Sequence, residues 1–557
     1  MPDLSADARD EMPVMRTRER VLLLLGLSLV LLASYGPLVQ ASYVWDDIPL
    51  VLNNTLTGDW SNLPRFFQID LWQSSGESDV ESGYYRPLVL VSFALDRSLF
   101  GDWAGGAHLH SLAWHLAGVV FLWLLLRRWV SEAAAWLAAG LFALHPVQSE
   151  AVSWVAARND LMVTVFALAA LLLLGTEKPK LPSLLGGGAL MLCALLSKES
   201  GILIPVFLTA LILAEHRRFP SPRVLLAAFL PLAIWAALRF AANIRGSSVP
   251  DADQFPLLLS NLPAILGHYS LKLLWPAPLN VGVSMEYLDS QRAWGLVPLL
   301  VGLGVALWRG KWLAACGILI AGLSLAPAVV AVGVRGQLGE RYLYLPLVGV
   351  ALAFAVSLPK TLPKSALLFG GLPLLGAHLL LVPQRSLDWR GEDALWSAAV
   401  AADPNGFSLA SLGHIANRQG EIDRSAALFR AALEADPAYQ SACVHAVKVG
   451  LRTGRLDLAA QGAEVVGRRC TPTSEILGLV GLARLQTGDL EGSRRALALW
   501  DGGLDARMPL VAGTIAKMDG DQIAYALQRA QVPDPVSFDA QVEQLLLLSG
   551  AWPQDTP

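Results

Sequence analysis

Apolar runs follow one another from Val21 to Val382, joined by short polar connections, and this succession constrains the fold more than any other feature. A helix crosses the hydrocarbon core of a bilayer with roughly 17–25 apolar residues, and a backbone in that core must satisfy its own hydrogen bonds. Spans are predicted to start near Val21, His108, Trp129, Leu161, Leu184, Gly201, Val224, Trp294, Trp312, Tyr342 and Ser365. The resulting fold class is all-α: a polytopic transmembrane helical bundle of about eleven spans. The first run extends to about Ser42 and lacks a small-x-small cleavage pattern, so it reads as a retained span rather than a removed signal. Beyond Asp388 the chain has the composition of an ordinary soluble protein. Charged residues make up 16% of the whole, against roughly 25% in a soluble domain. The net charge of −4 offers no basic surface for nucleic acid.

Lysine and arginine in short loops mark the cytoplasmic side. Arg16, Arg18 and Arg20 place residues 1–20 there as a tail. The same side receives Arg127 and Arg128, Lys178 and Lys180, then Arg217, Arg218 and Arg223, and later Arg309 with Lys311 and Lys360 with Lys364. The alternation holds if residues 261–274, which include His268 and Lys272 and run into WPAP, are re-entrant or interfacial. This gives a membrane domain over 21–385 with a first external loop at 43–106. The part beyond residue 390 then lies outside the cytoplasm.

That part repeats. Gly420, Gly454 and Gly488 stand 34 residues apart, in QGEIDRSAALF, TGRLDLAAQGA and TGDLEGSRRAL. A period of 34 with glycine at the turn between two helices is the tetratricopeptide signature. The first repeat is the fullest, with Leu412, Gly413, Phe429, Ala432 and Pro437 at packing and helix-stop positions, and Asp403–Pro404 hints at a partial repeat upstream. An α-solenoid over 390–535 and a tail over 536–557 are expected, the solenoid offering its concave face to a protein or peptide. Cys443 and Cys470 fall at neighbouring helix ends, as a disulfide or as two separate buried thiols. Cys193 and Cys316 lie in apolar runs, and no Cys/His cluster points to a metal.

The external connections hold the chemistry-bearing residues. Asp46 and Asp47 follow the first span directly. Adjacent carboxylates repel, which raises one pKa and suits a general base; the alternative is a helix cap before IPLVL. Arg86 in YYRPL presents a planar fork suited to phosphate, or is an interfacial arginine. His108, His110 and His115 are spaced wrongly for chelation from one helix face and read as a polar face toward a cavity. His145, Glu150, Arg158 and Asp160 form a polar cluster between apolar runs, either functional or an Arg158–Asp160 or Arg158–Glu150 pair fixing a loop. Lys198 with Glu199, and Arg341 with Glu340, complete the set. Arg86, Arg158, Lys198 and Arg341 fall on one predicted membrane face, where converging cations suit the phosphate of a lipid carrier.

YVWDD with Asn53, YYRPL with Leu99-Phe100-Gly101, HLHSLAWH, FALHPVQSEAVSWVAARNDL, LSKESG and ERYLYLP occur in one order, followed by the repeats. Together they resemble the transmembrane and tetratricopeptide-repeat protein O-mannosyltransferases and their bacterial relatives. The resemblance implies a GT-C fold, an active site on the non-cytoplasmic face and a polyprenyl-phosphate sugar donor, with no other cofactor. It implies Asp46 or Asp47 as base, with Arg86, Arg158, Lys198 and Arg341 on the carrier phosphate and His108, His145, Glu150, Asp160 and Glu199 in support. Ser111 and Gln148 depart from it, standing where the family often has Asn and His. The expected reaction is inverting transfer of a sugar, mannose by resemblance, to a protein hydroxyl or other acceptor presented by the repeats. The Ala/Leu/Arg-rich style points to a bacterial inner membrane with a periplasmic repeat domain, or, in a eukaryote, to the endoplasmic reticulum with a lumenal one. A non-catalytic membrane scaffold recruiting a partner is the competing reading. A lipid-linked-sugar flippase is disfavoured because the polar residues gather at one surface instead of along the spans.

Overall fold

The structure is a computed structural model describing residues 15–76, 82–244, 255–285, 288–359, 362–363, 365–436, 439–465, 474–499, 507–519 and 521–548. It divides into two compact units, Met1–Leu395 and Trp396–Pro557.

The first unit is a helical bundle. Among the described residues eight helices are long and apolar enough to cross a membrane: Ala104–Leu126, Val155–Leu174, Glu199–His216, Pro222–Ala241, Ser290–Trp308, Trp312–Val334, Glu340–Ser357 and Ala366–Asp388. The other three predicted spans are helical too, but Glu132–Leu144 and Leu181–Leu195 are shorter, and Thr17–Ser34 carries three charges in its first turn. The chain is thus an integral membrane protein. Residues 261–274 lie in the helix Phe255–Leu274, which is outside that group of eight.

Several of the basic loops make contacts with other connections. Arg20 and Arg127 share Glu132, at 3.1 and 3.2 Å. Arg218 pairs with Glu177 at 2.6 Å, and Arg217 lies 4.4 Å from the Trp312 ring. The first loop is folded, not open. Asn54 caps the turn Thr55–Gly58, and Pro87, whose fixed φ suits a first helical turn, starts the helix Pro87–Phe100. That helix buries Val89, Leu90, Phe93 and Ala94 and carries one buried carboxylate, Asp96.

The second unit consists of antiparallel helix pairs: Gly406–Arg418 with Ile422–Ala435, Gln440–Thr453 with Leu456–Val465, Ser474–Gln486 with Leu490–Ala498, and Arg507–Met518 with Gln522–Ala530. Gly420, Gly454 and Gly488 turn the first three at φ of 79°, 70° and 78°, a region that glycine enters without steric cost. For the fourth pair the sequence offers Gly520, 32 residues after Gly488, so a strict 34-residue period does not find it. The described part of the segment read as a tail lies in a helix, Pro535–Leu548, because Phe538, Val542, Leu545 and Leu546 recur at helical spacing and are buried. Cys443 is disulfide-bonded, and Cys470 and Pro437 lie outside the described residues.

Candidate active site

One cavity of about 290 Å³ in the first unit opens among the loops that hold the singled-out residues. Asp46, Arg86, Asp160, Lys198, Glu199 and Arg341 line it together, although five separate chain segments supply them. The lining also includes the apolar residues Leu50, Leu203, Pro327, Ala328 and Leu345.

Each lining cation has an anionic partner from a remote segment. Glu199 accepts from Arg86 Nε and Nη2, at 3.0 and 2.7 Å on one oxygen. Lys198 Nζ lies 2.5 Å from Asp160 Oδ1. Arg341 Nη1 donates to Glu150 Oε1 at 2.6 Å. None of these pairs joins sequence neighbours. Burial holds the Lys198 ammonium below the usual lysine range, against the opposing pull of Asp160. Aromatic faces complete the cation shell: the Arg86 guanidinium lies 4.2 Å from the Tyr84 ring, and that of Arg341 lies 4.7 Å from Trp154 and 4.6 Å from Tyr342.

The two aspartates are sorted by the backbone. Asp46 lines the cavity, whereas Asp47 is fully buried. Asp47 makes no helix-cap bond to the turn Ile48–Leu52; its Oδ1 accepts from the Ala156 amide at 2.7 Å and its Oδ2 from the Val44 amide at 3.4 Å. Burial pushes its carboxyl up to about 8. Asp47 thereby ties the first loop to the turn that leads into Arg158. Trp45 has φ 53°, an unusual value for a bulky residue, which costs about 1–3 kcal/mol. Its ring stacks on Trp154 at 4.6 Å and 3°, and Trp154 stacks in turn on the buried Trp389. The stack holds the backbone twist that separates the directions of Asp46 and Asp47.

Arg158 is not in the cavity wall. It is fully buried and paired with Asp96 at 2.5 Å, and it donates to Ser111 Oγ at 3.0 Å and to the Ala107 carbonyl at 2.8 Å. Neither expected partner, Asp160 or Glu150, reaches it, since each is held by another cation. Asp96 also meets His110 Nδ1 at 2.5 Å, so this network fixes helix positions behind the cavity. His108 is buried away from the lining, and His145 caps the turn Pro146–Gln148 by accepting from the Val147 amide. His115 meets the Tyr344 hydroxyl at 2.8 Å. Ser111 serves Arg158, and Gln148 donates to the Phe142 carbonyl at 3.3 Å; neither lines the cavity. Sequence reasoning gave no role to Asp96, Trp154 or Tyr342. For Asp96 a signal existed: one carboxylate inside an apolar helical run needs a partner.

Residues 87–240 match a family model described as dolichyl-phosphate-mannose-protein mannosyltransferase. The chain is 25% identical over 468 residues to protein O-mannosyl-transferase F38B6.6 of Caenorhabditis elegans, covering 78% of this chain and 66% of that protein. It is 24% identical over 464 residues to protein O-mannosyl-transferase TMTC3 of Mus musculus, covering 73% and 50%. The chain therefore spans about half to two thirds of the length of these relatives. Among solved structures, ArnT from Cupriavidus metallidurans bound to undecaprenyl phosphate aligns over 93% of this chain and 89% of its own, with 16% identity and a TM-score of 0.38. The family resemblance read from the motifs is thus met by proteins named protein O-mannosyl-transferases.

Proposed function

We propose that the chain is a GT-C-type glycosyltransferase that moves a sugar, mannose in the first instance, from a polyprenyl-phosphate carrier to a hydroxyl acceptor. The observation that carries this reading is the cavity: three cations and three carboxylates, Asp46 among them, line one space whose lining divides into charged and apolar residues. An isoprenoid phosphate has that same division, an anion on a hydrocarbon chain.

Asp46 is the base. Its carboxylate takes the proton from the acceptor hydroxyl, whose oxygen bonds to the anomeric carbon as the bond from that carbon to the phosphate oxygen breaks. The electron pair leaves with the lipid phosphate, and attack from the opposite face inverts the configuration. Arg86, Lys198 and Arg341 stabilise the added phosphate charge, which develops only as the bond breaks. Glu199, Asp160 and Glu150 hold these cations in the cavity before the donor arrives. Asp47 and Arg158 serve as supports of the loop and helices, not as contacts to the donor. The helix pairs of the second unit are tetratricopeptide-like repeats that present a protein acceptor on the non-cytoplasmic side of a bacterial inner membrane.

Purified protein with radiolabelled polyprenyl-phosphate mannose and acceptor protein tests this. Asp46→Asn is expected to lower transfer by about 10²–10⁴-fold, the contribution of a positioned base, with an unchanged melting curve. Full transfer by a folded Asp46→Asn protein would remove Asp46 from the mechanism.

A further inference from the structure

Beside the cavity lies a buried ion pair that the proposed reaction does not use. Lys272 Nζ stands 2.8 Å from Glu340 Oε1, with side-chain exposures of 6% and 4%. The Asn280 amide donates to the same oxygen at 3.0 Å, and Lys272 also donates to the Pro278 carbonyl. Neither Lys272 nor Glu340 lines the cavity. Burying two charges is expensive, and such a pair often contributes little stability compared with apolar residues. Its location offers another use.

Glu340 directly precedes Arg341, and Glu150 holds both residues. Its Oε2 accepts from the Glu340 amide at 2.8 Å and its Oε1 from Arg341 Nη1 at 2.6 Å. Lys272 thus fixes the Glu340 side chain on one side of this backbone, while Glu150 fixes the amide and the next side chain on the other. The helix that carries Lys272 is itself braced. At Gly267 it meets the carbonyl of Arg292, where a Cβ would collide, and Arg292 Nη1 lies 2.9 Å from His268 Nδ1. The same peripheral segment supplies Val283–Ser284, which pairs antiparallel with Gln337–Leu338, three residues before Arg341.

We infer that Lys272 and Glu340 are positioning residues: a strut from the helix Phe255–Leu274 that sets where the Arg341 guanidinium points in the cavity. The inference builds on the phosphate-binding role proposed for Arg341, but the strut can be read without any donor. The measurement is phenylglyoxal labelling of Arg341, followed by peptide mass spectrometry on detergent-solubilised full-length protein, beside KM for polyprenyl-phosphate mannose and for acceptor. Lys272→Met leaves a buried carboxylate without its cation and can impair folding. The Lys272→Met/Glu340→Gln double variant removes both charges and keeps the test open, with a melting curve to confirm the fold.

In the folded double variant, Arg341 should label about tenfold faster than in wild type, and the donor KM should rise by about as much, because Arg341 also binds the charge that the donor phosphate carries before the bond breaks, and lost ground-state binding appears in KM. The acceptor KM should not move, and Lys272→Arg, which keeps the charge, should label at close to the wild-type rate. Unchanged Arg341 labelling in the folded double variant would overturn the strut, as would donor and acceptor KM rising together. A wild-type protein that transfers no sugar would count against the transferase reading alone, since the labelling ratio would still decide the strut.

Discussion

Ion pairs are built in opposite ways in the two units of the chain. Around the cavity of the first unit the partners are far apart in sequence and largely buried: Arg86 and Glu199 are 113 residues apart, Arg341 and Glu150 are 191. In the second unit they are largely exposed and join the same or a neighbouring helix pair, as with Glu491 and Arg495 one turn apart at 83% and 62% exposure, or Arg430 and Asp457, 27 residues apart. An exposed pair on a helix contributes about 0.3–0.5 kcal/mol, and it can be lost without consequence. Removing one partner of a buried pair leaves an uncompensated charge at about 3–5 kcal/mol. The repeats therefore stand on apolar periodicity and turn glycines. The bundle additionally needs each cation to be met by the right remote anion.

The sharpest way to break this comparison is Asp96→Ala, which leaves the fully buried Arg158 guanidinium without its carboxylate. A loss of about 3–5 kcal/mol is expected, read as a large fall in the unfolding midpoint in detergent. If Asp96→Ala melts like wild type, the buried pair is not what holds these helices.

Asp47 sharpens it through pH. Its folded-state carboxyl is raised to about 8 by burial, against about 3.9 in an unfolded chain. The folded state thus keeps a proton that the unfolded state releases, so stability is fullest below the unfolded value and falls as pH rises toward about 8. The slope is at most about 1.4 kcal/mol per pH unit. Melting midpoints from pH 5 to 9 should decline in wild type and stay flatter in Asp47→Asn; parallel curves would contradict the burial argument. The smallest effect is expected for Arg495→Ala in the repeats, about 0.3–0.5 kcal/mol, vanishing at high salt. A change of several kcal/mol there would erase the contrast between the units.

Much of the site was legible because polar residues are rare in apolar sequence. Asp46, Arg86, Asp160, Lys198, Glu199 and Arg341 were all singled out, and all reach one cavity. Arg158 was grouped with them because it shares their sequence context, yet it turns toward Asp96. Helical phase alone does not say which neighbour a buried guanidinium will meet. Glu340 and Arg341 illustrate the same limit: adjacent in sequence, they join different partners, Lys272 and Glu150.

The sequence by itself determined the helical bundle, through runs of apolar residues that must bond their own backbone in lipid. It also determined the helix pairs turned at Gly420, Gly454 and Gly488, through a local period that each pair writes for itself. Only the tertiary structure decided the pairing of charges, the different placements of Asp46 and Asp47, and the stack of Trp45 on Trp154. The physical reason is range. Backbone hydrogen bonding and hydrophobic period act within a few residues, whereas a buried charge is stabilised by whatever group the fold brings within about 3 Å of it.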